Sequence, residues 1–317
     1  MPIDASALIE DFIREHATDM YLTVGTPPSF RSNDRIYSHS KDKLTEEDIQ
    51  HILSQLVSPE IMEEFGATLE YNTAINWKDK ARFRINIFRQ RQNTGIVMRR
   101  IMMEIPTLEQ LNLPKTYADL IMEKRGLILV VGPTGSGKST SLAAMLEYRN
   151  THGSGHIVTV EDPIEYIFEH KNCIITQRDV GIDTYSFNIA LKNTLRQTPD
   201  IIVIGEIRDK ETMEQAIVFS ETGHLCLATL HANNANQAIE RIVNFFPQEK
   251  QSQILLNLSM NLKAVLSQRL LQNTKGTRSV ALEILLNHAL IKSLIQDGRI
   301  KEIKEYIEKG RNEGTRR

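Results

Sequence analysis

The chain contains 317 residues, enough for about two domains, and its 38 Lys and Arg against 40 Asp and Glu leave a net charge of −2. Apolar residues make up 41% of the chain and charged residues 25%, which is the composition of an ordinary folded protein and excludes a disordered chain. The nearly neutral charge also argues against a protein that coats nucleic acid, because such proteins present strongly basic surfaces.

The cysteine content and the hydropathy of the sequence indicate the cellular compartment in which the protein works. The two cysteines, Cys173 and Cys226, are too few for a disulfide framework or a four-cysteine zinc site. The longest apolar runs, such as residues 127–131, have five residues, far fewer than a membrane-spanning helix needs. No basic stretch followed by an apolar one opens the sequence, so no secretory signal is predicted. We therefore expect a reducing, cytoplasmic environment.

Residues 1–101 are predicted to form a small α+β domain. Asp4 and Thr45 precede stretches with apolar residues at helical spacing and are the expected N-caps, and Asp48 completes a variant capping box with Thr45. Pro59 takes a position that is favoured at the start of a further helix. Alternating apolar residues then predict three strands, over residues 69–77, 81–87 and 95–101.

The sequence pattern changes at residue 102 and again at residue 115. Residues 102–114 contain Pro106 and Pro114 and show no periodicity, so we interpret them as an interdomain linker, the alternative being an ordinary surface loop. From residue 115 to 247, short apolar segments alternate with helical ones, which predicts an α/β core with a parallel sheet covered on both faces. The four predicted strands of this core are residues 127–131, 157–160, 201–204 and 225–230.

Residues 248–317 are predicted as a helical C-terminal part. Its expected apolar face consists of Ile254, Leu255, Leu258, Leu262, Val265 and Leu266.

A glycine-rich segment follows the first strand of the core and precedes a helix, which is the context that the pattern G-x-x-x-x-G-K-[ST] requires. Glycines allow successive N–H groups to converge on phosphate oxygens, Lys138 adds a positive charge, and Ser139 offers a hydroxyl to Mg²⁺. The helix that follows contributes the favourable end of its dipole. The segment therefore predicts a nucleotide-phosphate site formed by Gly132, Pro133, Thr134, Gly135, Ser136, Gly137, Lys138, Ser139 and Thr140.

Acidic residues follow two other strands of the core. Glu161 and Glu165 come after the second strand, on either side of Pro163, and Glu206 follows the third. Because ligands of open parallel sheets bind beyond the carboxyl ends of the strands, we expect these carboxylates beside the phosphate loop. Each could instead cap the following helix. The phosphate loop favours a functional role for Glu206 and for one of the other two.

Two histidines flank the fourth strand of the core. His231 lies at its carboxyl end, with the acids, and we expect it to sense the nucleotide rather than serve as a structural histidine. His224 lies at the far end, about 23 Å away along an extended chain, so both cannot contact one phosphate. For His224 a role in fixing the start of the strand is an equal alternative.

Four segments resemble the signature sequences of the secretion ATPase superfamily. Residues 132–140, 160–166, 204–208 and 222–231 are similar to its Walker A, Asp-box, Walker B and His-box sequences. The four-cysteine insertion and the extra N-terminal domain of the assembly and export relatives are absent.

Further segments narrow the resemblance to the type IV pilus retraction ATPases, the PilT/PilU type. Residues 18–28 and 82–84 are similar to the opening strand and the arginine-bearing strand of that family. Residues 173–178, 191–197 and 228–238 resemble the PilU-like accessory branch more than PilT. Relatives of this kind continue through further helices, whereas this chain stops at residue 317.

The resemblance implies a PAS-like N-terminal domain, a RecA-like ATPase domain and a ring-shaped homo-hexamer that hydrolyses ATP with Mg²⁺. The expected location is the cytoplasm, peripheral to the inner membrane. The implied partners are an inner-membrane pilus platform protein and a paralogous retraction ATPase, without nucleic acid. The implied process is pilus retraction in twitching motility.

The resemblance also implies roles for individual residues. Lys138 and Ser139 would bind phosphate and Mg²⁺, with Glu206 as the Walker B acid at the metal. Glu165 resembles the catalytic base more than Glu161 does.

The remaining implied roles concern histidines and arginines. His224 and His231 resemble the His-box pair. Arg82, Arg84 and Arg99 are expected to stabilise charge across domains or subunits, the alternative being a solvated basic strand face.

Two other functions remain open at this stage. One is a nucleotide-dependent module that assists a partner motor and hydrolyses little ATP itself. The other is a nucleic-acid motor on the same core, which the net charge disfavours. The sequence leaves the direction of force, retraction or assembly, undecided.

Overall fold

The computed structural model describes residues 3–32, 35–78, 80–101, 104–272 and 278–309. The chain divides into two compact units, residues 1–103 and residues 104–317. Within the described residues, no helix combines the length and the apolar character that crossing a bilayer demands.

The first unit is an antiparallel sheet with helices packed on one face. Its helices are α1 (Ala5–Arg14), α2 (Glu46–Leu56) and α3 (Pro59–Thr68), and its strands are β1 (Asp19–Thr23), β2 (Ser29–Ser32), β3 (Arg35–Ser38), β4 (Glu70–Trp77), β5 (Ala81–Gln90) and β6 (Asn93–Ile101). Over the described residues the sheet has six strands in the order β3-β2-β1-β6-β5-β4. Alternate residues of β5, among them Phe83 and Ile85, pack with Phe12 of α1 and Ile52 of α2 in one core.

Local sequence determines where these elements begin, as predicted. The Asp4 carboxylate accepts a hydrogen bond from the Ser6 backbone N–H (2.9 Å) at the start of α1. The capping box of α2 is complete, with Thr45 N–H donating to the Asp48 carboxylate (2.9 Å) and Asp48 N–H donating to the Thr45 hydroxyl (3.2 Å). The predicted helix at Pro59 and the three predicted strands are confirmed as α3, β4, β5 and β6.

The second unit is a mixed sheet between two layers of helices. Its helices are α4 (Thr116–Ile121), α5 (Lys138–His152), α6 (Phe187–Thr194), α7 (Lys210–Glu221), α8 (Ala235–Asn244), α9 (Gln248–Asn261), α10 (Ala289–Gln296) and α11 (Ile300–Lys309). Its strands are β7 (Gly126–Val131), β8 (Gly155–Glu161), β9 (Cys173–Asp179), β10 (Ile201–Ile204), β11 (Leu225–Leu230), β12 (Leu262–Gln272) and β13 (Arg278–Leu286). In the described part of the chain the strand order is β13-β12-β7-β11-β10-β8-β9, with only the β12–β13 pair antiparallel.

The register of the parallel strands brings their carboxyl ends together. Val131 of β7 pairs with Leu230 of β11, and Ile204 of β10 pairs with both Ala228 of β11 and Val160 of β8. Every segment with predicted functional residues that follows one of these strands therefore starts at the same edge of the sheet. The predicted fold, an α/β core with strands covered on both faces, is confirmed.

The C-terminal part contains strands as well as helices, and here one prediction was wrong. The helical prediction holds for α9, α10 and α11, but Leu262, Val265 and Leu266 lie on β12, beside β7. Leu262, Val265 and Leu266 continue the helical spacing of Ile254, Leu255 and Leu258, so the apolar pattern of α9 runs on into β12 without a break that marks the end of the helix.

The segment interpreted as a linker covers residues 102–114, of which 102 and 103 lie outside the described residues. From Glu104 onward the chain belongs to the second unit. Leu108 and Leu113 are buried there and pack with Tyr117 of α4. Residues 104–114 are thus an irregular segment held by apolar contacts.

Candidate active site

The phosphate loop connects β7 to α5 and depends on its glycines. Gly135 and Gly137 have φ angles of +73° and +84°, which residues other than glycine adopt only with strain. A Cβ atom on Gly132 would lie 2.4 Å from the backbone oxygen of Gln268 and 2.4 Å from Ser136 Oγ. The glycines therefore allow the loop to turn tightly against strand β12.

Lys138, the first residue of α5, folds back over the loop. Its Nζ donates hydrogen bonds to the carbonyl oxygens of Gly132 and Pro133, both at 3.0 Å. Burial lowers the pKa of Lys138, while Glu206 and Glu165 act in the opposite direction. An ammonium that is partly removed from water and hydrogen-bonded to carbonyl oxygens attracts an added anion more strongly than a fully solvated one.

A cavity of about 410 Å³ opens over this loop and collects the predicted residues. Its walls include the loop from Thr134 to Thr140, the carboxylates Glu161, Glu165 and Glu206, and His231. Tyr166, whose hydroxyl lies 2.9 Å from Thr140 Oγ1, also borders the cavity. Gly132 and Pro133 form the base of the loop and hold Lys138.

Glu206, two residues after the end of β10, is held between two basic side chains. His231 Nε2 lies 3.1 Å from Glu206 Oε1, and Arg208 Nε donates to Glu206 Oε2 at 2.8 Å. Arg208 also reaches Asp162 Oδ2, at 3.4 Å. Sequence reasoning placed Glu206 and His231 together but gave Arg208 no role, although its position two residues after Glu206 is a signal that could have been used.

Glu161, the last residue of β8, is shielded from water and held by two side-chain hydrogen bonds. Its carboxylate accepts hydrogen bonds from Thr159 Oγ1 (2.6 Å) and Gln177 Nε2 (3.4 Å). Burial raises the pKa of Glu161 to about 7, and the nearby charges of Glu165 and Asp179 act in the same direction. Glu165 is exposed and faces the same cavity.

His224 lies apart from these residues. It directly precedes β11, and its Nδ1 is 3.0 Å from Thr222 Oγ1 and 3.3 Å from the Phe219 carbonyl oxygen. Its own carbonyl oxygen accepts a hydrogen bond from Gly126 N–H at the start of β7 (3.0 Å). These contacts connect His224 to the amino ends of two strands, opposite to the edge at which His231 lies.

The three predicted arginines lie on the sheet of the first unit. Arg84 of β5 is directly opposite Arg99 of β6, on the face away from the helices. Arg99 Nε donates to Oδ1 of the buried Asp19 at 2.7 Å. Arg82 Nε is buried and makes no hydrogen bond within the described residues. The Asp19 carboxylate therefore offsets part of the positive charge of this row of arginines.

Comparison with known proteins gives consistent results. The sequence model of the family described as "Type II/IV secretion system protein" matches residues 66–312. The type IV pilus ATPase PilU of Pseudomonas aeruginosa is 47% identical over 97% of this chain and 81% of its own length. The type IV pilus retraction ATPase PilT of the same organism is 36% identical over 97% of this chain and 90% of its own length.

A solved structure extends the similarity to the fold. The crystal structure of the pilus retraction motor PilT with bound ADP superimposes with a TM-score of 0.92 at 40% identity, covering 97% of this chain and 90% of that one. The family resemblance, the fold class and the ATPase activity predicted from the sequence are thereby confirmed. The chain accordingly belongs to the type II/IV secretion system protein family, as an ATP-binding ATPase of the PilT and PilU type.

Proposed function

We propose that this ATPase is a motor for type IV pilus retraction in twitching motility, and that residues 132–140 with Glu165, Glu206 and His231 form its hydrolytic site. The observation that carries the proposal is the single cavity bordered by the phosphate loop and by these three side chains. The names of its relatives, a type IV pilus ATPase and a pilus retraction motor, support the biological process.

The proposed chemistry is attack of water on the γ-phosphate of ATP. Glu165 accepts a proton from the attacking water, the new P–O bond forms, and the bond to the β–γ bridging oxygen breaks as ADP leaves. Lys138 and the loop N–H groups balance charge on the phosphate oxygens. Arg82, Arg84 and Arg99 are proposed to add positive charge from the first unit.

Mg²⁺ is proposed to bind at Ser139 and Glu206. Hydroxyl and carboxylate oxygens suit this hard cation, which takes its other ligands from phosphate and water. When bound, Mg²⁺ would neutralise charge that develops on the phosphate oxygens.

The assembly is proposed from the family rather than from contacts in this chain. We infer a homo-hexamer, peripheral to the cytoplasmic side of the inner membrane, that acts on a pilus platform protein and works with a paralogous retraction ATPase. Residues 1–101 are proposed as its PAS-like domain, residues 115–247 as the ATPase core and residues 248–317 as the C-terminal part.

Steady-state ATPase assays on four proteins test the site. We expect Lys138→Ala and Glu165→Gln to lower kcat at least about 100-fold, since each removes charge stabilisation or the base. Glu169→Gln, an exposed carboxylate four residues from Glu165, is the matched control and should behave as the wild type. Wild-type rates in either of the first two variants would contradict the assignment.

A second candidate function is a nucleotide-binding accessory subunit with little hydrolysis of its own, which the resemblance of residues 173–178, 191–197 and 228–238 to the PilU-like branch suggests. A very low wild-type kcat together with normal ADP binding would support it. Deleting the gene and counting surface pili then tests the process. Excess pili with lost twitching indicate retraction, whereas cells without pili indicate assembly.

A further inference from the structure

One buried side chain outside the phosphate loop contacts the loop directly. Gln268 lies on β12, is 1% exposed, and donates from Nε2 to the Ser136 carbonyl oxygen at 2.9 Å across 132 positions of sequence. The same strand backs the rest of the loop, since the Gln268 backbone oxygen lies 2.4 Å from a Cβ placed on Gly132. Its Nε2 lies 3.3 Å from a Cβ placed on Gly137.

The orientation of the amide follows from its partner. A carbonyl oxygen only accepts hydrogen bonds, so the NH₂ end of Gln268 must face Ser136. The other end, Oε1, is buried and makes no hydrogen bond within the described part of the chain. A flipped amide would bring two acceptors together at Ser136, so this contact sets the orientation of the side chain.

The contact also sets the orientation of one loop peptide. In a planar trans peptide the carbonyl of one residue and the N–H of the next point in opposite directions. Holding the Ser136 carbonyl against β12 therefore directs the Gly137 N–H away from β12. Gly137 borders the cavity in which the phosphates are proposed to bind.

We propose that Gln268 is a positioning residue for nucleotide binding, which holds the Ser136–Gly137 peptide so that the Gly137 N–H faces the bound phosphates. The inference rests on the proposed function, in which residues 132–140 bind the phosphates of the nucleotide. Strand β12, in the C-terminal part of the chain, would then be a structural part of the phosphate site.

ADP affinity of the full chain, measured by calorimetry with Mg²⁺, tests the inference. Gln268→Met keeps the length of the side chain and removes the donor, and Gln268→Glu keeps the shape and places a second acceptor at Ser136. We expect the Kd for ADP to rise about tenfold in the first variant and further in the second, as for loss of a hydrogen bond that acts on a charged group. Gln268→Met should also show a smaller ADP-induced rise in melting temperature than the wild type.

Ser267→Ala is the matched control. Ser267 is buried on the same strand, but its hydroxyl donates to the Asn233 carbonyl oxygen at 3.3 Å, away from the loop. Its Kd for ADP should stay within about twofold of the wild type, a change below 0.5 kcal/mol. An equal loss of affinity in Ser267→Ala and Gln268→Met would mean that β12 acts only as a scaffold, and would overturn the inference.

Two further outcomes separate the inference from the proposed function. Unchanged ADP affinity in both Gln268 variants, with binding lost in Lys138→Ala, would overturn the inference alone. If Lys138→Ala bound ADP with the affinity of the wild type, the proposed phosphate-binding site would be wrong, and the inference would fall with it.

Discussion

Glu206 shows how neighbouring basic groups orient a single carboxylate in the candidate site. Its two carboxylate oxygens face different basic groups, His231 on one side and Arg208 on the other. Glu206 is mostly buried, whereas Arg208 is 57% exposed, so solvent screens the arginine more than the carboxylate. The ion pair with Arg208 therefore serves orientation more than stability, and His231 is close enough to respond to any change at Glu206.

The pKa of Glu161 predicts how the stability of the protein depends on pH. Its pKa is raised by burial to about 7 in the folded chain, so the folded state keeps a proton that the unfolded state releases at lower pH. Stability that depends on this proton is present below the usual pKa of a glutamate and is lost as the pH rises toward 7. We expect the melting temperature of the wild type, relative to Glu161→Gln, to fall between pH 5 and pH 8.

Thermal unfolding of both proteins without nucleotide, at one-unit pH steps, measures this difference. Groups that titrate in both proteins cancel when the variant is subtracted. A difference that is constant across the range would show that Glu161 ionises normally in the folded chain.

At the scale of elements, the helix caps of the first unit can be tested separately. Thr45 caps α2 through a complete capping box, whereas the Ser58 side chain makes no capping hydrogen bond to the backbone of α3 and hydrogen-bonds to the Glu60 side chain instead. Removing a capping hydroxyl leaves helix N–H groups without a partner. We expect Thr45→Ala to destabilise the first unit by about 1 kcal/mol, and Ser58→Ala to have a much smaller effect.

Denaturant unfolding followed by circular dichroism compares the two variants. Both residues are exposed N-caps in the same unit, but only Thr45 hydrogen-bonds to the helix backbone, while Ser58 contacts the exposed Glu60 side chain. Equal destabilisation by both substitutions would contradict a role for the capping box.

The elements also show which parts of the structure were predictable. The caps at Asp4 and Thr45 are local signals, and so is the phosphate loop, because all of its residues are contiguous. Four of the parallel strands, β7, β8, β10 and β11, were predicted because each is a short, largely apolar run between helical segments, whereas β9 and β12 were not predicted. Glu206 and His231 could then be placed together, because parallel strands end at one edge of a sheet.

Other parts had no readable signal. All four residues of β3 are exposed, so its sequence does not alternate between apolar and polar residues. The first residues of β12 continue the apolar spacing of helix α9, and with β12 misassigned the contact between Gln268 and Ser136 could not be foreseen. Contacts between distant segments depend on register, which local propensity does not contain.

At the scale of the whole molecule, each unit has its own hydrophobic core. The residues of the buried core cluster of the first unit all lie between Ala5 and Met98. The second unit has two buried clusters, one on each face of its sheet, and their residues all come from Leu108 onward. The phosphate loop belongs wholly to the second unit. A ligand that binds only a folded site stabilises that fold, by about 2.7 kcal/mol when its concentration is 100 times Kd.

Differential scanning calorimetry of the full chain with and without ADP and Mg²⁺ therefore gives the last prediction. We expect ADP to raise the melting temperature of the transition of the second unit by several degrees and to leave the first unit nearly unchanged. Thr45→Ala identifies the first unit, because it should lower only that transition, and Lys138→Ala should abolish the ADP effect. A single transition that both ADP and Thr45→Ala displace would instead show that the two units unfold as one.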